Sequence, residues 1–341
     1  MKSVRIYKHG GSDVLIWEET AAPDPDPDQV IVDVKNSSLN HLDIWVRNGI
    51  PGVPLPFTPG SDAAGIISAA GENVDQNRVG ERVLIQPLIY CGKCASCKRG
   101  WENMCSRGGI MGESHPGNHA QKIAVQQSQA VPVPDSLPFS QAAAFALVAQ
   151  TSYQMLVNRA RLETNDWVMV WGAGSGVGSM AIQIAKAKQA HVIAISGSDQ
   201  KLEKAKNLGA DICINYQNDD VIRMVKKITD GKGVNIVFEH VGEATWDISM
   251  RSLAKGGRVV TCGATSGARA SVNLTHLFFK QQSILGSTMG SLSAFRGSME
   301  LLFTGKIVPI VDKIFPMEQI EDAHIYLESA SQYGKVVLSN E

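Results

Sequence analysis

A glycine-rich segment near the middle of this 341-residue chain constrains the fold most, because it separates a short apolar run from a helical pattern. Downstream of it, short apolar runs continue to alternate with helical patterns. Strands that alternate with helices are joined by right-handed crossovers, so this order predicts a parallel, doubly wound α/β sheet. The candidate strands are residues 167–171, 191–195, 212–215, 234–239, 258–262 and 284–287, and the candidate helices are residues 179–189, 200–208, 219–229 and 244–253.

The glycine-rich segment itself is typical of a loop that binds a dinucleotide. A pyrophosphate must come within hydrogen-bonding distance of backbone N–H groups, and glycine lets the chain approach that closely at the positive end of a helix. An ordinary turn would also contain glycine, but the strand–helix units that follow favour a cofactor loop. The predicted cofactor contacts are Gly172, Gly174, Ser175, Gly176, Val177 and Gly178.

The end of the second candidate strand indicates which dinucleotide binds. An acidic residue there would bind the ribose hydroxyls and repel a 2′-phosphate, whereas this chain has Ser196 and Ser198, with Lys201 in the next turn. Asp199 comes too late for that role and is expected to cap the next helix. Hydroxyls beside a cation suit a phosphate, although Lys201 could equally be an ordinary solvated lysine. We therefore predict NADPH as the cofactor.

Four of the six cysteines lie close together, at Cys91, Cys94, Cys97 and Cys105. Thiolates at these spacings can surround one tetrahedral zinc ion, and an iron–sulfur cluster is the competing interpretation. The polar residues between the cysteines place this segment at the surface, which argues against buried cysteines without a ligand. Because four thiolates leave no coordination position open for a substrate, we predict one structural Zn²⁺ per chain.

The first third of the chain predicts a separate, β-rich domain. Short alternating runs indicate strands at residues 30–34, 82–85 and 120–125. Prolines at positions 132, 134 and 138 suggest a domain boundary, and the apolar run at 335–338 predicts a strand that returns to the first domain. The expected parts are a β-rich domain at 1–134 with the cysteine lobe at 91–105, a nucleotide-binding domain at 135–288 and a C-terminal return at 289–341.

The composition limits the cellular location and the classes of partner to be expected for this protein. The formal net charge of −1 gives no general attraction to nucleic acid or to anionic lipid. The N-terminal sequence lacks the apolar stretch of a signal peptide, and no uninterrupted apolar run reaches the ~18 residues of a membrane span. We therefore expect a cytoplasmic enzyme that acts on a small molecule.

Together, the strand-rich first domain, the Cys-x₂-Cys-x₂-Cys-x₇-Cys lobe, the glycine-rich loop and the returning strand resemble the medium-chain dehydrogenase/reductase superfamily. The resemblance covers essentially the whole chain. It implies a groES-like catalytic domain that carries the structural zinc lobe, a Rossmann domain, and an active site in the cleft between them. It also implies a homodimer or a dimer of dimers, paired through the last Rossmann strand near residues 284–287.

The alcohol dehydrogenases of this superfamily also hold a catalytic zinc, and the resemblance places its ligands at three positions here. Asn40 stands where a cysteine is expected, Ser61 stands where a histidine is expected, and the third position falls near Leu147. Only Asp62 could still offer a carboxylate. Amide and hydroxyl oxygens bind zinc poorly compared with thiolate and imidazole, so we predict that no catalytic zinc is present.

The stretch from Asn40 to Gly49 resembles the Asn-x-x-Asp-x-aromatic-x-Arg-x-Gly stretch of quinone oxidoreductases and related enoyl reductases. This likeness implies that Tyr216 and Lys335 help to hold NADPH and that the hydride acceptor is a quinone or an enone. Asn40 would donate a hydrogen bond to the acceptor's oxygen, and Trp45 would line a flat substrate. Asn40 could instead be a turn or cap residue, and Trp45 could be part of the core.

Other polar residues and two other functions stay open. His41 could donate a proton or be structural, Asp43 is expected to orient its neighbours, and His115 and His119 are expected at the surface. A zinc alcohol dehydrogenase, acting on an alcohol or aldehyde with Asp62 and His41 as unusual ligands, would hold two zinc ions per chain. A catalytically weak NADPH-binding sensor or structural protein would bind the cofactor without turnover.

Overall fold

The computed structural model describes residues 1–340, which fold into two compact units. Unit 1 runs from Met1 to Leu147 and takes up the chain again from Pro309, and unit 2 contains Val148–Val308. Both boundaries lie later in the chain than the expected positions 134 and 288. None of the helices within residues 1–340 is long and apolar enough to cross a membrane.

Unit 1 is built around a seven-stranded, mostly antiparallel sheet. Its first strands are β1 (Lys2–Arg5), β2 (Ile16–Glu19), β3 (Gln29–Ser38), β4 (Asp62–Ala70), β5 (Arg82–Ile85), β6 (Leu88–Ile89), β7 (Gly109–Ile110), β8 (Lys122–Gln126) and β9 (Ala130–Pro132). Its first helices are α1 (His41–Asn48), α2 (Ala95–Lys98) and α3 (Phe139–Ala143). The apolar residues of β3, Val30, Val32 and Val34, are buried in one core with Val83 and Ile85 of β5. The alternating pattern of β3 therefore buries one face of the strand, as period-2 sequences do.

Unit 1 extends past the prolines because α3 packs on its sheet. The Ser38 hydroxyl at the end of β3 donates a hydrogen bond to the Ala143 carbonyl at 2.8 Å. The Arg82 guanidinium lies 3.8 Å from the centre of the Phe139 ring. A loop rich in proline marks a change of backbone geometry, but these contacts keep the following helix on the first sheet.

Unit 2 has six parallel strands in the order β12–β11–β10–β13–β14–β15. This order, with the strands numbered within the unit, is 3-2-1-4-5-6, so the predicted doubly wound sheet is confirmed. The strands are β10 (Trp167–Val170), β11 (His191–Ser196), β12 (Ile212–Asn215), β13 (Val234–Glu239), β14 (Leu253–Thr261) and β15 (Ser283–Gly286). The helices are α4 (Ala146–Tyr153), which starts at the end of unit 1, α5 (Gly176–Ala187), α6 (Asp199–Asn207), α7 (Val221–Ile228), α8 (Glu243–Ser252), α9 (Leu274–Phe279) and α10 (Leu292–Phe303).

Helix α10 stays with unit 2, which is why the second boundary lies beyond residue 288. The Gln150 side-chain amide donates to the Gly290 carbonyl at 2.6 Å. The Gln183 amide of α5 donates to the Val308 carbonyl at 3.0 Å and accepts from the Val308 N–H at 2.8 Å. These bonds hold the chain to unit 2 up to the residue where the return begins.

The return to unit 1 consists of β16 (Val311–Pro316), α11 (Ile320–Glu328) and β17 (Lys335–Ser339). β17 pairs in parallel with β16 and antiparallel with β3, with Val337 opposite Ser38. The C-terminal strand therefore lies beside the end of β3, and it brings its first residue, Lys335, close to the start of α1.

Candidate functional site

The glycine-rich loop joins β10 to α5 in unit 2. Ser175 is the N-cap of α5, because its Oγ accepts a hydrogen bond from the Gly178 N–H at 2.9 Å. The helix therefore begins at Gly176, earlier than the predicted position 179. A Cβ atom on Gly178 would lie 2.2 Å from the Gly172 carbonyl oxygen, so this position requires glycine. A capped helix start that follows a closely packed glycine loop is suited to binding a phosphate anion.

Glu239 at the end of β13 is buried and the following His240 is half-buried, and no sequence pattern pointed to either residue. Glu239 is 0% exposed, and its carboxylate accepts hydrogen bonds from the backbone of Val241 and Gly242 and from the hydroxyls of Thr245 and Ser249. The next residue, His240, lies under the loop, where its Nε2 is 3.0 Å from the Trp171 carbonyl and 3.3 Å from Ser175 Oγ. Burial lowers the pKa of His240, so the ring is neutral and its Nε2–H donates to the carbonyl.

At the end of β11, the hydroxyls predicted to hold a 2′-phosphate lie in one turn. Ser196 Oγ accepts from the Ser198 N–H at 3.3 Å, and Ser198 Oγ accepts from the Lys201 N–H at 3.4 Å. Each hydroxyl oxygen thus serves as an acceptor within the turn, and each hydroxyl hydrogen can still donate to a ligand. Tyr216 is 47% exposed and its ring lies over Gly197, where a Cβ would be 2.7 Å from Tyr216 Cζ.

Asp199 is not the cap of α6, contrary to the expectation from the sequence. Ser198 is the N-cap, and Asp199 is the first residue of the helix. The Asp199 carboxylate accepts a hydrogen bond from the Asn215 amide at 2.6 Å. This bond ties the only acid of the turn to the neighbouring strand β12.

The four cysteines of the lobe converge on one point. Their Sγ atoms all lie within 4.8 Å of one another, and no other group of three or more candidate metal ligands occurs within residues 1–340. The Sγ–Sγ distances are 3.5 Å for Cys94–Cys97, 3.8 Å for Cys94–Cys105 and 4.0 Å for Cys91–Cys97. Zinc–sulfur bonds of ~2.3 Å in a tetrahedron place the sulfurs roughly 3.8 Å apart, so the donor set fits a single zinc ion. An iron–sulfur cluster divides its four thiolates among at least two irons, so they would not all surround one point.

Backbone donors around the lobe favour thiolates at two of the cysteines. N–H groups of Lys93 and Cys94 point at Cys91 Sγ from 3.5 and 3.4 Å, and they lower the pKa of Cys91 to about 5. The Cys97 and Ser106 N–H groups lower the pKa of Cys94. Burial instead raises the pKa of Cys97 to about 12. N–H groups that point at sulfur orient the thiolates of a metal site, as hydrogen bonds around bound ligands do.

In unit 1, Asn40 belongs to a buried polar cluster with Asp62 and Lys335. The Asn40 amide nitrogen donates to Asp62 Oδ2 at 2.8 Å, and its oxygen accepts from the Lys335 ammonium at 2.5 Å. The ammonium also lies 3.1 Å from Asp62 Oδ2. The three residues are 7%, 0% and 4% exposed, respectively. Lys335, predicted to contact the cofactor, thus lies in unit 1 beside the predicted catalytic residue; the cofactor contact itself stays a prediction.

Asp62 also lies next to all three positions where the resemblance placed catalytic zinc ligands. Its Oδ1 accepts from the Leu147 N–H at 2.9 Å, while Oδ2 faces Asn40, and Ser61 is its chain neighbour. The sequence identified these positions but not their occupant. The structure places a lysine ammonium among them, and an amide, a carboxylate bonded to several donors and an ammonium are not a zinc donor set.

Asp43 and His119 form a second buried pair behind this cluster. Asp43 is 0% exposed and accepts from the backbone N–H groups of Asn40 at 2.7 Å and Gly60 at 3.1 Å. It therefore orients the Asn40 backbone, and burial raises the pKa of Asp43 to about 7. His119 was expected at the surface, but it is 0% exposed and bonds through Nδ1 to the Ser37 hydroxyl at 2.9 Å. Burial lowers the pKa of His119 to about 3, so its ring is neutral.

His119 is buried because Gly60 gives it room. Gly60 has φ = +104°, and a Cβ there would lie 2.5 Å from His119 Nδ1. The pairing of loop 115–120 with the start of the chain, seen in the bond from the Val4 N–H to the His119 carbonyl, closes the space from the other side. His115, also expected at the surface, is half-buried.

Helix α1 carries the other residues of the quinone-reductase-like stretch. Trp45 is half-buried and packs edge to face on the exposed His41, with ring centres 5.2 Å apart. Arg47 is 2% exposed, pairs with Glu328 of α11 and lies 3.2 Å from Nδ1 of His324. Arg47 thus joins α1 to α11 and is a structural residue of this stretch. The catalytic role of Trp45 stays a prediction.

Comparisons with known proteins match both units. The alcohol dehydrogenase GroES-like domain model matches residues 26–135, and the zinc-binding dehydrogenase model matches residues 176–304. An NAD-dependent alcohol dehydrogenase from Sulfurisphaera tokodaii is 31% identical over 99% of each chain. Quinone oxidoreductase 1 from Escherichia coli is 30% identical over 98% of each chain. The crystal structure of an NAD-dependent alcohol dehydrogenase, 39% identical, superposes with a TM-score of 0.96 over 100% of each chain.

Proposed function

Because this chain belongs to the zinc-binding dehydrogenase family of the medium-chain dehydrogenase/reductase superfamily, we propose that it is an NADPH-dependent reductase of quinones or α,β-unsaturated carbonyls. The reaction takes place without a catalytic zinc, and the proposed location is the cytoplasm. The observation that carries this proposal is the buried Asn40–Asp62–Lys335 cluster, in which Asn40 stands at one of the expected catalytic zinc-ligand positions.

The chemistry of this cluster favours a conjugated acceptor over an alcohol. Alcohol oxidation requires a group that stabilises an alkoxide, and zinc does this as a Lewis acid. Reduction of a quinone or an enone spreads the developing negative charge over a conjugated system, so hydrogen-bond donors suffice. Amide and ammonium donors are the groups that the cluster offers.

In the proposed reaction, unit 2 binds the cofactor and Asn40 of unit 1 binds the acceptor. A bound NADPH supplies the hydride. The loop 172–178 and the turn 196–201 hold its phosphates in unit 2. Asn40 uses one amide hydrogen on Asp62 and directs the other to the oxygen of the acceptor. Asp43 fixes the Asn40 backbone, so the amide is oriented before the substrate binds.

The first test is a panel of quinones, enones, enoyl thioesters and aldehydes, assayed by the oxidation of NADPH. We expect turnover with a quinone or an enone, and we expect Asn40→Ala to lower kcat roughly 100-fold, because one preorganised donor to the oxyanion is lost. Asn77→Ala changes an exposed asparagine of the same unit and serves as the control. Undiminished turnover in Asn40→Ala would remove Asn40 from the mechanism.

The choice of NADPH over NADH rests on the turn after β11. Its hydroxyl hydrogens can donate, and its acid accepts a hydrogen bond from Asn215. Lys201→Ala is expected to weaken NADPH binding roughly tenfold and to leave NADH binding unchanged, because the ammonium attracts the 2′-phosphate, which NADH lacks. Fluorescence titration with both dinucleotides measures this, with Lys206→Ala on the exposed face of the same helix as control. Tighter binding of NADH than NADPH by the unchanged protein would contradict the assignment.

A zinc alcohol dehydrogenase is the second candidate, because proteins of that name are among the relatives. It requires a second zinc held by Asp62 and unusual partners. Metal analysis separates the two candidates, since one zinc per chain fits the reductase and two fit the alcohol dehydrogenase. Tight NADPH binding without turnover on any member of the panel would instead indicate a binding protein.

We also propose that the protein forms a homodimer through the edge of the unit 2 sheet. β15 is the edge strand, and its Ile284 is 40% exposed. Beside it in sequence, α9 exposes Leu274, Phe278 and Phe279 at 68%, 63% and 73%. Large exposed apolar side chains near an open strand edge mark an interaction surface. Light scattering is expected to give twice the 36.7 kDa mass of the chain, and Phe279→Lys should shift it towards the monomer.

A further inference from the structure

Lys335 carries a buried positive charge in the cluster that it forms with Asn40 and Asp62. The side chain is 4% exposed, although lysine is almost never buried to that extent without a partner. Its ammonium has three N–H donors, and the described residues supply two acceptors, Asn40 Oδ1 at 2.5 Å and Asp62 Oδ2 at 3.1 Å. One N–H therefore has no acceptor among the described residues.

Holding the C-terminal strand in place does not explain this lysine. β17 is already fixed by its backbone pairing with β3 and with β16. A buried ion pair adds little stability compared with apolar residues of similar volume, because desolvation offsets the attraction. Asn40 is also bonded to both members of the pair, which places the charge beside the predicted catalytic amide.

We propose that the Lys335 ammonium is the electrophile and the proton donor at the oxygen of the hydride acceptor. This inference rests on the proposed reductase function and adds a catalytic residue to it. The ammonium lies against Asn40, one of the three positions where zinc ligands were expected, and against Asp62, which is bonded to a second such position, Leu147. Asp62 stabilises its charge, and Asn40 provides the second donor to the same oxygen.

The proposed step transfers a hydride to a carbon of the acceptor and a proton to its oxygen. Hydride adds to a carbon of the quinone or to the β-carbon of the enone, which is reduced by two electrons while the dinucleotide is oxidised. The negative charge that develops on the acceptor's oxygen lies against the ammonium. An O–H bond then forms as one Nζ–H bond breaks, which leaves a neutral amine. Water returns a proton to this amine once the product leaves.

The test compares Lys335→Met, which keeps the length of the side chain, with Lys335→Arg, which keeps the charge but holds its protons too tightly to donate one. For Lys335→Met we expect turnover to slow by a factor of roughly 100 to 1,000, the order of loss for a missing oxyanion donor or general acid, with the dissociation constant of NADPH within about threefold of its original value. Lys335→Arg is expected to turn over roughly tenfold more slowly and to show a larger solvent deuterium isotope effect. Exogenous ethylamine should restore part of the activity of Lys335→Ala. Lys2→Met, at an exposed lysine of a strand in the same unit, is the control.

A probe that needs no turnover separates this inference from the proposed function. 4-Nitrophenolate is a conjugated oxyanion whose binding to the unchanged holoenzyme is followed by absorbance. It should bind at least roughly tenfold more tightly to the unchanged protein than to Lys335→Met, whether or not any acceptor of the panel is reduced.

Equal binding of the probe, or full turnover in Lys335→Arg with no change in the isotope effect, would overturn the assignment. A rise in the NADPH dissociation constant with kcat unchanged would return Lys335 to the cofactor-binding role. If Lys335→Met does not fold, Lys335→Arg and the amine rescue decide between these results.

Discussion

Removal of zinc from the four-cysteine lobe is expected to lower the melting temperature by roughly four degrees, corresponding to about 3 kcal/mol for a protein of this size. The lobe has little core of its own, because β6 and β7 contain two residues each and Trp101 and Met104 are each 56% exposed. Its fold therefore depends on the bonds from four sulfurs to one ion. Differential scanning calorimetry before and after chelation measures the loss.

Substitution of a ligand should reproduce the effect of chelation. Cys97→Ser removes the most buried of the four thiols, so we expect it to bind less than one zinc per chain and to melt near the temperature of the chelated protein. Cys213→Ser, at a half-buried cysteine outside the lobe, should keep one zinc and remain sensitive to the chelator. An identical melting temperature with and without zinc would mean that the ion does not hold the lobe together.

Arg47→Met is expected to lower the free energy of unfolding by about 2 kcal/mol, because the buried guanidinium loses its charge-assisted bonds to Glu328, whose side chain is 37% exposed, and to His324. The guanidinium is 2% exposed and joins α1 to α11 through Glu328 and His324. Methionine fills most of the space but makes neither contact. Burial and the nearby positive charge hold the pKa of His324 well below its ordinary value, so this ring is a neutral acceptor for the guanidinium.

A surface pair provides the matched control for this change. Arg251 pairs with Asp247 one helical turn away, with side chains 56% and 78% exposed. Arg251→Met should cost no more than about 0.5 kcal/mol, because solvent screens an exposed pair. Urea denaturation of both variants gives the two free energies. Equal losses would show that the burial of Arg47 contributes nothing to the attachment of α11.

The strands and helices of unit 2 could be predicted from the sequence with small errors at their ends. Period-2 and helical patterns are local, so runs such as 212–215 and 234–239 coincide with β12 and β13. The spacing of the four cysteines was equally informative, because a metal site held by one loop is itself local. The two compact units divide after Leu147 and before Pro309, later than the predicted positions 134 and 288, since prolines report the geometry of the backbone and not the sheet on which the next helix packs.

The Asn40–Asp62–Lys335 cluster could not be predicted in the same way, because its contacts join residues that are far apart in the sequence. Sequence and resemblance together indicated that positions 40, 61 and 147 lack zinc ligands, but not which group occupies the space. Lys335 and Asn40 are 295 positions apart and meet only because β17 pairs with β3. Likewise, a histidine in a polar loop gives no local sign of burial, and His119 is buried because Gly60 leaves room for its ring.

By itself, the sequence determined the alternating architecture, the glycine-rich loop and the four-cysteine lobe, because each depends on residues within a few turns of one another. Only the tertiary structure decided that Lys335 lies beside Asn40 and Asp62, because a buried charge is defined by the partners that surround it. Those partners come from separate strands, and chain order does not reveal which of them meet.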